Sequence, residues 1–263
     1  MLRFSPFCSV FLKTQIKNFF RQVYVMQRIL SLTRKCVQEY NMIQEGDKIA
    51  VGVSGGKDSV VLLRAMLELS KFYPKKYTIA AVTVDAGVPG MDFSPVAEYC
   101  ESLGIEYKIV KTDLYDIVFN ARKESNPCSL CAKMRRGMLH DAATSLGCNK
   151  IALGHHFDDV VETFMLSQLY EGRLSCFTPV TWLDRKQITM IRPMLYVRES
   201  LVRSVAKRLD VPVVENLCPA DGNTKRQEIK EYLRELNGKY PGIHNKIFGA
   251  IQRLPLPGWE KCE

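Results

Sequence analysis

A chain of 263 residues with 46% hydrophobic and 25% charged side chains can bury one substantial core, or one main domain with a small appendage, and does not have the composition of a disordered polymer. It contains no run of the ~20 apolar residues that would span a bilayer as a helix, so no membrane partner is expected. The formal charge of +9, from 37 Lys and Arg against 28 Asp and Glu, favours a polyanionic partner such as nucleic acid.

The first 38 residues carry Arg3, Lys13, Lys17, Arg21, Arg28, Arg34 and Lys35 and no Asp or Glu. Residues 1–45 read as a basic helical extension. Such a start fits an organelle transit peptide, an arm that meets phosphate, or a leader ahead of Met26, and a poorly ordered terminus is the plainest reading. Nine cysteines without the spacing of a small disulfide scaffold point to a reducing, cytoplasmic setting, although the basic start leaves organelle targeting open.

From residue 46 to 220 strands and helices alternate. Lys48–Val53 reads as a buried strand, about Asp58 to Ser70 as a helix, and Thr78–Val84 as a second strand. A helix near Pro95 to Leu103, a strand at Tyr107–Val110, a helix after Cys131, a strand at Lys150–Leu153 and a helix from Asp158 to Tyr170 follow. The order predicts an α/β fold: a Rossmann-like parallel sheet with helices on both faces and its binding loops along one edge. A strand at Ile188–Ile191 and a helix from Glu199 to Leu209 are next. Residues 221–263 form a small C-terminal helical region, with basic helices from Thr224 to Leu236 and Ile243 to Leu254.

Between the first strand and its helix stands Ser54-Gly55-Gly56-Lys57-Asp58-Ser59. Two glycines permit a tight turn whose N–H groups approach an anion, and the helix start adds partial positive charge. Lys57 and the hydroxyls of Ser54 and Ser59 complete a phosphate cradle. The common NTPase loop is excluded, because it needs glycine where this chain has Val51 and Ser or Thr where it has Asp58. The hexapeptide resembles the loop of ATP pyrophosphatases, which split ATP between the α and β phosphates.

The strand ending at Leu153 runs into Gly154-His155-His156-Phe157-Asp158-Asp159. Two carboxylates at a helix start can hold Mg²⁺ together with phosphate oxygens, or one of them can simply cap the helix. Asp158 and Glu162 share a helical face, with Asp159 pointing elsewhere. Adjacent histidines lack the spacing of a zinc pair.

Cys128-Ser-Leu-Cys131 is compatible with zinc, an iron–sulfur cluster or a redox dithiol. Cys218, after an apolar stretch, is the best third ligand. Cys100 and Cys148 read as core, and Cys8, Cys36, Cys176 and Cys262 have no setting that suggests a site. If Cys148 or His140 joined the three, a closed zinc site would follow.

Taken in order, Ser-Gly-Gly-Lys-Asp-Ser, Cys-Ser-Leu-Cys with its following Arg-Arg-Gly, Gly-His-His-x-Asp-Asp and a late lone Cys resemble the tRNA 2-thiocytidine biosynthesis proteins of the PP-loop ATP pyrophosphatase superfamily. The likeness runs from about Met26 to Leu254 and includes the segments Ile191–Glu199 and Lys225–Lys230. It implies a [4Fe-4S] cluster on Cys128, Cys131 and Cys218 with one iron open to sulfide. ATP-Mg²⁺ would be bound by Ser54, Gly55, Gly56, Lys57, Asp58 and Ser59 with Val84, Gly154 and His155, and Mg²⁺ by Asp158 and Asp159. Lys57, Asp58, Asp158, Asp159 and Arg135 would be catalytic.

The implied reaction is adenylation of the C2 oxygen of cytidine 32 in a tRNA anticodon loop, release of pyrophosphate, then sulfur transfer and release of AMP. A cysteine desulfurase would supply the sulfur, and a homodimer is an implied option. Two rivals share the fold. Cluster-type uridine thiolases usually carry flanking zinc-finger cysteine pairs, which are absent here, and lysidine-forming or amidating enzymes need no cluster. A non-catalytic RNA-binding protein is the third reading, opposed by the intact Lys57, Asp58, Asp158 and Asp159.

Overall fold

The computed structural model describes residues 25–121, 127–219, 225–253 and 256–262. Arg3, Cys8, Lys13, Lys17, Arg21, Thr224 and Leu254 lie outside the described residues.

Six strands form one sheet in the order β3-β2-β1-β4-β6-β5. They are β1 (Asp47–Gly52), β2 (Tyr77–Asp85), β3 (Glu106–Lys111), β4 (Lys150–Ala152), β5 (Val180–Leu183) and β6 (Ile188–Ile191). β1 pairs in parallel with β2 and β4, as do β2 with β3 and β4 with β6, whereas β5 runs antiparallel to β6 at the edge. β5 has no counterpart among the predicted strands, because its Trp182 is half exposed and its short sequence lacks the continuous apolar run of a central strand.

Side chains alternate between two cores as the pleat requires. Ile49, Val51 and Val53 of the β1 segment face a large cluster with Val60, Leu63, Val160, Val161, Val202 and Phe248, while Ala50, Ala80, Val82 and Ile151 face a smaller one with Ala142 and Ala143. The large cluster lies under α1 (described from 25 to 39), α2 (Lys57–Ser70), α3 (Ser94–Ser102), α5 (Phe157–Glu171), α6 (Glu199–Leu209), α7 (Lys225–Lys239) and α8 (Ile243–Arg253). The small one lies under α4 (Pro127–Ser145). Small residues on that face let α4 come close.

α4 begins earlier than the sequence suggests. Cys128 and Cys131 lie within its first five described residues rather than in a turn ahead of it. Helix α7 and helix α8 join the main core through Ile229, Leu233, Phe248 and Ile251. The tail crosses back over α1, where Cys262 N–H donates to Glu39 O at 2.9 Å. Among the described residues no helix is long and apolar enough to cross a membrane.

Candidate active site at the carboxyl edge of the sheet

The loop after β1 is shaped for an anion. Gly55 has φ +84°, and a Cβ on it would fall 2.8 Å from Val214 Cβ, so both backbone and space demand glycine. Gly56 precedes α2 without a side-chain cap, leaving the Lys57 and Asp58 N–H groups available to a ligand while Ser59 N–H donates to Gly56 O at 3.2 Å. Ser59 is spent inside the loop: its hydroxyl donates to Gly56 O at 2.8 Å and accepts from Ser54 N–H at 3.1 Å. Ser54 Oγ is 3.3 Å away and lines the cavities above.

Gly154 brings a second loop against the first, since a Cβ there would lie 3.1 Å from Asp58 C and Ser59 N. His156 then caps α5. Asp159 N–H donates to His156 Nδ1 at 3.4 Å, and His156 N–H donates to Asp159 Oδ2 at 2.9 Å. With Nδ1 filled, the proton of the neutral ring belongs on Nε2, which faces Asp58 Oδ1 at 3.7 Å.

The carboxylates divide into engaged and open. Asp158 Oδ2 accepts from Glu199 N–H at 2.7 Å, and its Oδ1 meets Arg198 at 3.3 Å and His244 at 3.4 Å. Burial opposes its charge, but the His244 and Glu199 hydrogen bonds and the positive charge around it outweigh burial and hold its carboxyl down at about 2. Asp159 meets Arg226 at 3.2 Å besides its capping bond. Asp58 Oδ1 is buried with no hydrogen-bond partner. Of the three aspartates, therefore, Asp58 offers the oxygen that lacks a partner, while Asp158 and Asp159 are held by cations and amides.

Lys57 lies between Asp58 at 3.1 Å and Glu199 at 3.2 Å. Burial works against its charge, yet the two carboxylates raise its pKa. Glu199 also meets Arg203 and Lys230, each at 3.0 Å. Despite its burial, these three cations keep it ionised down to about 2. Glu199, Arg198, Arg226, Lys230 and His244 were not among the residues singled out for chemistry. The segments Ile191–Glu199 and Lys225–Lys230 carried the signal, but no spacing within one element could reveal pairs closed between α2, α5, α6 and α7.

Burial drives His155 down to about 3, with Arg192 adding to the effect, so it is a neutral imidazole. Its ring stacks at 4.7 Å on Phe177, whose other neighbour is the Arg192 guanidinium at 5.0 Å.

Above the two loops lie two adjoining cavities that share Ser54, Val84 and Arg135. One, of about 300 Å³, is walled by β-strand ends, His155, Arg136 and Leu139. The other, of about 240 Å³, brings Ser54 and Gly56 to the same space as Cys131 and Cys218. Cys128, Cys131 and Cys218 are free thiols. Burial raises the Cys131 thiol, Arg135 opposes that, and the neighbouring Cys218 and Cys128 add to it. Among the described residues no three His, Cys, Asp or Glu groups close to metal-binding distance.

The two other candidate ligands stand apart. His140 is nine residues beyond Cys131 on α4, about 14 Å along the axis. Cys148 is buried in the small core and faces Lys48 and Glu106 at the opposite ends of the strands. Two thiols, Cys131 and Cys218, line the cavity, and neither His140 nor Cys148 joins them.

Residues 24–236 match the PP-loop domain family. A relative from Dechloromonas aromatica, a tRNA-cytidine(32) 2-sulfurtransferase, is 40% identical over 224 residues, which cover 84% of this chain and 78% of the relative. One of the same name from Pelobacter propionicus is 39% identical over 237 residues, 89% of this chain and 88% of its own. The chain belongs to the tRNA-cytidine(32) 2-sulfurtransferase family of PP-loop proteins.

The fold of this PP-loop protein is also that of a solved relative, the U34-tRNA thiolase NcsA from Methanococcus maripaludis with its [4Fe-4S] cluster. The two share a TM-score of 0.73 and 26% identity, with 90% of this chain and 81% of the other covered. The matched PP-loop segment includes the 54–59 loop, the 154–159 loop and all three site cysteines.

Proposed function

We propose that this protein is a tRNA sulfurtransferase that uses ATP to replace the C2 oxygen of a cytidine in a tRNA anticodon loop, position 32, with sulfur. One observation carries the reading: the phosphate loop and two of the three cysteines open into one cavity. Activation and sulfur delivery can therefore act on a single base without its leaving the site.

ATP rests its phosphates on the Lys57 and Asp58 N–H groups of α2 and the N–H groups of Gly55 and Gly56. Mg²⁺ would be held by Asp58, whose buried Oδ1 has no hydrogen-bond partner, and would supply positive charge to the phosphates there. Asp158 and Asp159 act on the site through the cations and loop they hold. Val84 and His155 line the space beside the loop, and a neutral His155 can meet a base or a sugar without repelling Arg135 and Arg136.

The C2 oxygen of the extruded base attacks the α-phosphate and pyrophosphate departs. Lys57 and the loop amides balance the charge that develops on phosphorus oxygens. A sulfur nucleophile then adds at C2, and the original oxygen leaves with AMP. Single-stranded loop RNA suits this chemistry, because the reacting base must leave its stack.

The three thiols fit a [4Fe-4S] cluster in donor type and number, and as three ligands they would leave one iron open to sulfur. Cys128, Cys131 and Cys218 would hold it, and Arg135, one turn beyond Cys131, lines the shared wall where a negative sulfur species needs a counter-charge. A cysteine desulfurase is the matching sulfur source, a homodimer the matching assembly and the cytoplasm the matching compartment.

Pyrophosphate release tests the reading. Cluster-loaded protein should release it from ATP only when tRNA is added, and release that is absent or indifferent to tRNA would count against the assignment.

A further inference from the structure

A third cavity, of about 420 Å³, opens where α6, α7 and α8 meet, and it shares no lining residue with the two cavities over the phosphate loop. Its walls carry Arg198, Arg203, Lys230 and Arg234 against Asp158 and Glu199. Four fixed positive charges thus face two negative ones. The acids pair with lining groups, Asp158 with Arg198 and His244 and Glu199 with Arg203 and Lys230 as well as with Lys57 outside, so the excess positive charge rests chiefly on Arg234.

Two helical stripes converge on this space. Arg226, Lys230 and Arg234 lie four residues apart on α7, so they fall on one face. Arg226 and Lys230 reach acids on α5 and α6. Arg234, the third of the stripe, makes no ion pair with any described residue and is exposed at the cavity mouth. From α6, Arg203 is likewise largely exposed, with its side chain 67% accessible. A cavity that gathers excess positive charge and leaves one guanidinium unpaired is built for an oxyanion, and guanidinium groups suit phosphate in particular.

We propose that this cavity is a second phosphate site, which holds a backbone phosphate of the RNA substrate while the base reaches the catalytic cavities. The proposal rests on the tRNA reading above. RNA is favoured over a phosphate of ATP by position: the Glu199 carboxylate stands between Lys57 of the phosphate loop and the cations of the cavity, and would repel a polyphosphate passing from one to the other. The mouth opens to solvent, from which a long polyanion arrives. Glu199 joins the two sites electrostatically, since the same carboxylate holds Lys57 on one side and Arg203 and Lys230 on the other.

The test is tRNA binding as a function of salt, with full-length protein and the Arg234→Gln variant. Each phosphate contact contributes about 0.7 to 0.9 to the slope of log affinity against log salt. Arg234→Gln should lower that slope by about 1 and weaken tRNA binding at low salt on the order of fivefold, with ATP affinity unchanged. Lys71→Gln, at the far end of α2, is the control and should leave the slope as it was.

An unchanged slope in Arg234→Gln, or an equal loss in Lys71→Gln, would overturn the site. Weaker binding of ATP or of added pyrophosphate, with tRNA unaffected, would assign the cavity to the nucleotide and overturn it too. Wild-type protein that binds no tRNA at any salt would instead remove the tRNA reading on which the site depends.

Discussion

Glu199, the first residue of α6, lies 3.2 Å from Lys57 of the phosphate loop, and the same carboxylate meets Arg203 and Lys230. One acid thereby ties α2, α6 and α7 together beneath the site. Glu199→Gln leaves three cations short of a partner in a partly buried setting, which costs on the order of 2 kcal/mol. Thermal unfolding should show the loss together with weaker ATP binding, as Lys57 is no longer held. A melt and an ATP affinity equal to wild type would contradict this role.

Gly55 is the tightest point of the loop. Gly55→Ala puts a Cβ in a left-handed conformation, at about 1 kcal/mol, and drives it onto Val214. The fold should survive, by circular dichroism, while ATP affinity drops roughly tenfold or more as the loop amides shift. Unimpaired ATP binding would show that the loop does not carry the nucleotide.

Glu162 on α5 is buried, and burial, with the Asp159 carboxylate adding to it, raises it to about 7. The folded protein then binds this proton more tightly than the unfolded chain does. Its own contribution to the stability of the ligand-free protein should therefore fall as pH rises from about 4.5 to about 7 and level off above. The depressed Asp158 and Glu199 act in the opposite sense below about pH 4.5, and the depressed His155 does so up to about pH 6.5, so the comparison is made against the variant at each pH. Relative to wild type, Glu162→Gln should gain stability as pH rises from about 4.5 to about 7 and be the more stable protein at pH 8, on the order of 2 kcal/mol by urea denaturation. A variant that keeps the wild-type slope would clear Glu162 of the effect.

Cys218 reaches the cavity from the loop after α6, far in sequence from Cys128 and Cys131. Protein prepared without oxygen should contain about four irons per chain, and Cys218→Ala should lose most of them while still binding ATP. Stoichiometric zinc in place of iron would rule out the cluster.

The sheet and its loops could be read in the sequence because parallel strands are buried on both faces and announce themselves as apolar runs, as in Ile49–Val53 and Thr78–Val84. The phosphate loop was legible for a local reason, since Gly55 and Gly56 serve a turn closed within six residues. What escaped was non-local. β5 is an exposed edge strand, α4 already includes the cysteines, and the pairs Lys57 with Glu199 and Asp159 with Arg226 join positions 142 and 67 residues apart. Periodicity reports a residue's own helix or strand and carries no record of which other element lies against it. The aspartates show the same limit: adjacent carboxylates point to a metal pair, and nothing within that loop tells that the packing of α6 and α7 sets Arg198 and Arg226 beside them.

Sulfur placed on a cytidine of tRNA is the outcome that every part of this site serves. Nucleoside mass analysis of tRNA from cells with and without the protein tests it most directly. 2-Thiocytidine should disappear when the protein is removed and return with wild type but not with Cys218→Ala. An unchanged 2-thiocytidine level in cells that lack the protein would contradict it.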